Sequence, residues 1–303
     1  MIQITRKATS MKFIKNQILK ILNALELRIS CRRSSRRSSI DQKQLMATYR
    51  QSYDLGCRPI SIDDVGFRVH SQHEEDGHLL FIFALIGTTN KKCVEICAGN
   101  GVECNTANLI IHHRWVGLLI DGDHNNVKDA KLYYSKNLNT HIWPPIIKKK
   151  WITRDNINQF LSDANFTGSV DLLSLDIDGI DYWVWEAISS IDPRVVVLEF
   201  NHLLGPDKSV SVPYQADFQA GLSEYGSDYA GASLQAFIKL GRKKGYRLVG
   251  TNSFATNAYF INDSIECSWL PEINAQDCFS HPRAQFGVTK RYQAIKDKEW
   301  VSV

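Results

Sequence analysis

The chain has 303 residues, 44% apolar and 22% charged, with a formal net charge of +4. That is ordinary globular composition, long enough to bury a sizeable core, and no apolar run is long enough to span a bilayer. Seven cysteines without a CxxC pair give no basis for a disulfide framework or a structural zinc site and imply a reducing, cytoplasmic setting.

Residues 1–40 hold ten Lys/Arg against Glu26 alone, so the remainder is net −5. A mildly acidic body argues against nucleic-acid binding by the main domain. Met11, Ile14, Ile18, Leu22, Leu25 and Ile29 recur at helical spacing among Lys12, Lys15 and Lys20, before a polar Arg/Ser run at 31–39. One reading makes residues 11–39 a basic amphipathic arm on an anionic membrane surface. The preferred one packs the helix on its own domain or on a partner and leaves the run as a solvated linker. This gives three parts: an extension at 1–40, a main domain at 41–262 and a C-terminal tail at 263–303 packed on it.

From Asp41 onward, β-rich runs are predicted at Cys93–Cys97, Val116–Ile120, Ile146–Ile152, Val170–Leu175, Arg194–Phe200, Tyr246–Gly250 and Ala258–Ile261. Helical patterns at Cys104–His113, Val127–Lys136, Asn156–Leu161, Tyr182–Ser189 and Ser233–Lys244 separate most of them. Continuously apolar strands joined by helices imply a mostly parallel sheet covered on both faces. The short link Thr251–Asn257 implies an antiparallel pair at one edge. The predicted class is therefore α/β, a Rossmann-like seven-stranded sheet with an antiparallel edge hairpin.

Val94-Glu95-Ile96-Cys97-Ala98-Gly99-Asn100-Gly101 is a strand entering a glycine turn, with a helix expected near Asn105. In open α/β sheets, ligands bind beyond the carboxyl ends of strands, where glycine lets the backbone come close. A dinucleotide fingerprint begun at Gly99 would need Gly or Ala at 104, which is Cys104, so an oxidoreductase reading is disfavoured. The turn fits acid-x-Gly-x-Gly-x-Gly better, with Glu95 as the acid and Cys97 replacing the first glycine. Asp121 ends the second strand, where an acid can hold a ribose diol.

Asp176, Asp178, Asn201 and His202 gather at the tips of the fourth and fifth strands. One of Asp176, Asp178 and His202 can act as a general base. Alternatively Asp176, Asp178 and Asn201 form a hard-cation site, a reading not favoured here. In the third alternative Asp176 orders the cofactor loop and Asp178 caps the next helix.

Ser71-Gln72-His73-Glu74-Glu75-Asp76-Gly77 before an apolar helix resembles the opening of the FkbM-type methyltransferases, as do Asn105-Thr106, Leu175–Gly179, Leu198–Asn201 and Gly231–Leu234. The resemblance covers about residues 65–262. It implies S-adenosylmethionine as cofactor, with Glu95, Gly99, Asn100 and Gly101 at its methionine part and Asp121 at the ribose. It also implies Asp155 or Asn156 near the adenine, and Gln72 and Glu75 reaching in from the preceding segment. The implied activity is O-methylation of a small polar acceptor such as a sugar hydroxyl, and the alternative is a non-catalytic Rossmann-like scaffold that docks through its basic arm. Gly205–Gly231 is either a lid that selects the acceptor or an ordinary connection.

Overall fold

The computed structural model describes residues 39–223 and 226–303. The chain divides into Met1–Leu45 and Met46–Val303. The amphipathic and Arg/Ser stretches lie, but for Ser39, outside the described residues. Residues 39–54 form helix α1. No helix among the described residues is long and apolar enough to cross a membrane.

Strands β1 (Lys92–Ile96), β2 (Val116–Asp121), β3 (Ile146–Lys149), β4 (Gly168–Leu175), β5 (Ile191–Glu199), β9 (Tyr246–Thr251) and β10 (Asn257–Asn262) build one sheet in the order β3-β2-β1-β4-β5-β10-β9. The five leading strands run parallel, whereas β10 is antiparallel to both β5 and β9. The predicted Rossmann-like sheet is therefore the observed one. Its inner strands are mostly apolar because both faces are covered, as at Val94, Leu173, Val196 and Phe260.

The covering helices are α2 (Glu75–Ile86), α3 (Ala107–His113), α4 (His124–Lys136), α5 (Ile157–Asp163), α6 (Asp181–Ala187) and α7 (Leu234–Lys244). Helix α2 is buried from Glu75 to Leu85, and its His78 Nδ1 lies 2.9 Å from the Tyr259 hydroxyl on β10. Gly77 is obligatory there, since a Cβ would fall 2.2 Å from the Val65 carbonyl oxygen. Arg194 on β5 donates to the carbonyls of Ile86 and Gly87 and to Asp171, fastening the end of α2 to the sheet.

Between β5 and α7 run the short strands β6 (Val210–Ser211), β7 (Gly221–Ser223) and β8 (Gly226–Tyr229). After β10 come α8 (Pro282–Thr289) and β11 (Val301–Ser302), and β11 pairs antiparallel with β6.

Candidate functional site

The strand order reverses direction between β1 and β4, so the loops after these strands diverge and leave a cleft at their carboxyl ends. The floor of the cleft is the turn after β1. Cys97, Gly99 and Gly101 have φ of 67°, 55° and 70°. The expectation that Cys97 continues the strand is corrected: it holds the left-handed conformation that glycine would supply at that place. A Cβ on Gly99 would meet nothing within 4 Å, so its backbone faces open space. Asn100 is exposed and its side-chain oxygen accepts from Val102 N, while Gly101 is buried against Tyr134 and Ala130.

Glu95 stands beneath this turn, not in it. It is 4% exposed, and its carboxylate accepts from Thr106 N at 2.8 Å and Ser174 Oγ at 2.9 Å. Burial lifts its carboxyl above the ordinary range. Its evident work is to tie β1, β4 and the loop before α3 together. Thr106 is the residue before α3, which starts at Ala107, two residues later than the sequence suggests.

Asp121 ends β2 and faces the turn. One carboxylate oxygen accepts from Gly99 N at 2.8 Å, and the other from Asp123 N and Asn126 Nδ2. Beside it, Trp151 packs on Gly122, where an added Cβ would sit 2.9 Å from the indole. Asp155, in the loop after β3, accepts from the Tyr214 hydroxyl at 2.6 Å, and the Arg154 guanidinium lies 3.8 Å from the Tyr214 ring. Asn156 is folded back on Trp151 O and Thr153 N and serves its own loop.

At the tips of β4 and β5 the register Leu175↔Leu198 brings the next residues, Asp176 and Glu199, side by side. Burial raises Asp176 to about 6, and burial followed by the neighbouring Asp176 raises Glu199 well above the ordinary carboxylate value. Carboxyl oxygens of Asp176, Asp178 and Glu199 lie within 4.8 Å of one another. Asp178 is exposed, with φ 56°, and caps no helix. Asp181, the first residue of α6, accepts from Ile177 N and Gly179 N of the preceding loop rather than from the helix, and it is lifted to about 7 by burial and then by Asp176. The Cys97 thiol is pushed up by burial and by Asp121, Asp176, Asp178 and Asp181.

Asn201 and His202 do not join this group. Asn201 donates to the carbonyls of Asp228 and Ala230, which leaves Glu199 as the third carboxyl in its place. His202 is 7% exposed and packed on Gly287 of α8. Burial, then the cations Arg291 and Arg283, depress it to about 4, so the ring is neutral. Glu75 is also internal: its carboxylate accepts from His73 N, Asn252 Nδ2 and Asn257 Nδ2. Burial raises it, but these hydrogen bonds bring it below its ordinary value. Gln72 is exposed at the start of the same segment.

The segment after β5 lies across these loops. Trp151 Nε1 donates to Ala216 O, Trp183 Nε1 donates to Val212 O, and Phe218 covers Gly179.

No family model and no curated protein matches the sequence. Among solved structures, an S-adenosylmethionine-dependent methyltransferase from Clostridium acetobutylicum is similar at 10% identity, over 60% of this chain and 87% of that one, with a TM-score of 0.39. The magnesium protoporphyrin IX methyltransferase of Synechocystis, with bound SAM, is similar at 13% identity, over 59% and 71%, with a TM-score of 0.36. PKMT2 from Rickettsia typhi, in complex with AdoHcy, is similar at 12% identity, over 66% and 55%, with a TM-score of 0.41. What those proteins bind is a property of those proteins.

Proposed function

We propose that this chain is an S-adenosylmethionine-dependent methyltransferase acting on a hydroxyl of a small polar acceptor such as a sugar. The observation that carries this reading is the set of acids at the strand tips where strand order reverses, with Asp121 bonded to Gly99 and the carboxyl oxygens of Asp176, Asp178 and Glu199 within 4.8 Å of one another. Carboxylates there repel the pyrophosphate of a dinucleotide and attract a ligand with a sulfonium and an ammonium. The residues fit such a group, because the left-handed turn leaves the Gly99 backbone open and Asp121 presents a carboxylate beside it.

When bound, S-adenosylmethionine supplies a methyl group already activated on sulfur. The chain has then to align the acceptor, exclude water and take a proton. The Asp176–Glu199 pair does the last. Asp176, at about 6, is ionised near neutral pH and can accept a proton from a hydroxyl, with the Glu199 carboxyl, raised by burial, beside it. Trp151, Tyr214 and Phe218 exclude water by holding the segment after β5 over the loops of β3 and β4.

Isothermal titration of S-adenosylmethionine and S-adenosylhomocysteine into the purified chain, with NAD as control, tests the reading. Micromolar binding of the first two, lost in Asp121→Ala, is the expected result. A folded protein that binds neither of them removes the activity and leaves a scaffold role.

A further inference from the structure

We propose that the open edge of the sheet at β3 docks this protein on an anionic lipid surface. Strand β3 pairs only with β2 among the described residues, so its outer edge is uncovered. The connection leading into it carries an unusual set of side chains. Ile142 is 83% exposed and Trp143 77%, and Leu132 and Leu138 just before them are also exposed. Helix α4, which bears Leu132, packs against β3, so these residues share one border of the molecule. Scattered surface apolar residues are normal, but four large ones within twelve positions form a patch.

The charge of the same stretch points to its partner. Between positions 128 and 150 there are six lysines and one acid, Asp129, and all seven are exposed. Lys148, Lys149 and Lys150 follow directly on the apolar residues, and none of the three is in an ion pair among the described residues. The net +5 of this stretch stands out because residues 41–303 as a whole are net −5.

A second copy of the chain fits poorly, since a two-fold interface would set these lysines against each other. Single-stranded nucleic acid fits poorly too. Bases need π-faces to stack on, and three of the four exposed apolar side chains are aliphatic. An anionic bilayer satisfies every component: aliphatic groups enter the acyl boundary, the indole sits at headgroup level and the lysines meet phosphate and carboxylate headgroups. This surface is distinct from the amphipathic stretch at 11–29.

Full-length protein is tested by co-sedimentation with vesicles of phosphatidylcholine alone and with 30% phosphatidylserine. Lipids brominated on the acyl chain report contact by quenching tryptophan fluorescence. Binding to the anionic vesicles alone is expected, with quenching that Trp143→Ser abolishes. Each lysine near such a surface is worth about a fivefold change in partitioning, so the triple change of Lys148, Lys149 and Lys150 to Gln lowers it roughly a hundredfold. Unchanged circular dichroism shows that these exposed substitutions leave the fold intact. The proposal is overturned if wild-type protein ignores anionic vesicles, or if both variants bind them like wild type. It is equally overturned if the patch instead mediates self-association or single-stranded RNA binding that Trp143→Ser removes while lipid binding is unaffected.

Discussion

Gly99 donates its backbone N–H to Asp121 at 2.8 Å, so the turn after β1 and the end of β2 are one hydrogen-bonded unit. Asp121→Asn keeps an acceptor but removes the charge. Hydrogen bonds to charged groups are worth about 1.5–3 kcal/mol, so S-adenosylmethionine affinity is expected to fall roughly 10- to 100-fold with the fold intact. Gly99→Ala places a methyl group into the open floor and costs about 1–2 kcal/mol for the left-handed backbone. Calorimetry and thermal melts on both variants separate binding from stability.

The Asp176–Glu199 pair makes stability depend on pH. Both carboxyls and Asp181 have folded values raised above those of the unfolded chain. Their protonated forms favour the fold, so this contribution is complete below about pH 4 and is lost as pH rises through 6 to 7. Glu199→Gln removes one charge and retains a donor toward Asp176. The melting temperature is expected to rise by a few degrees at pH 8 and to change little at pH 5. An unchanged pH profile would show that the two carboxyls do not affect each other's ionisation.

His202 acts in the opposite direction. Its folded value is lowered to about 4, so stability is lost as pH falls from the ordinary histidine range toward that value. His202→Gln is expected to flatten the melting curve's acid limb and to leave methyl transfer at neutral pH unaltered. A large fall in kcat would return this ring to the cleft.

Asp171 is fully buried and accepts from the amides of Thr89, Asn90 and Lys91 and from Arg194. Asp171→Ala leaves that guanidinium unpaired and is expected to cost about 3–5 kcal/mol in urea unfolding. Because the native carboxyl lies below its ordinary value, the contribution is present at neutral pH and disappears as pH falls into the carboxylate range.

Gly179 has no positive φ, yet a Cβ there would meet Phe218 at 2.5 Å. Gly179→Ala is therefore expected to lift the segment after β5 off the cleft. The change should speed limited proteolysis between residues 205 and 231 while cofactor affinity stays within about twofold, which is the difference between a roof and a ligand site.

The strands were legible because apolar runs such as Val170–Leu175 and Val195–Leu198 lie between two covered faces. The site was legible in part. Asp121 and the glycine turn stand at the ends of such runs, which is why both could be named from sequence. Glu199 was overlooked in favour of Asn201 and His202, although its signal was present. Asp176 and Glu199 are each the acid directly after a strand's last leucine, Leu175 and Leu198, and a parallel register aligns them. The surroundings of His202 were not legible, because α8 and Arg291, which pack near it, come eighty or more residues later. Nor could the sequence show that Glu75 and Glu95 act as internal ties, since their partners Asn252, Asn257 and Ser174 are remote in the chain.

The pairing of β11 with β6 has a consequence for the order in which the molecule is assembled. Ser209 and Val303, which bond across this small sheet, are 94 residues apart. The parallel strands can zip together before that loop closes, because their contacts span shorter separations. The stretch that roofs the site therefore begins with a strand held by a closure longer than any pairing among the parallel strands, the widest of which joins Cys93 to Leu172.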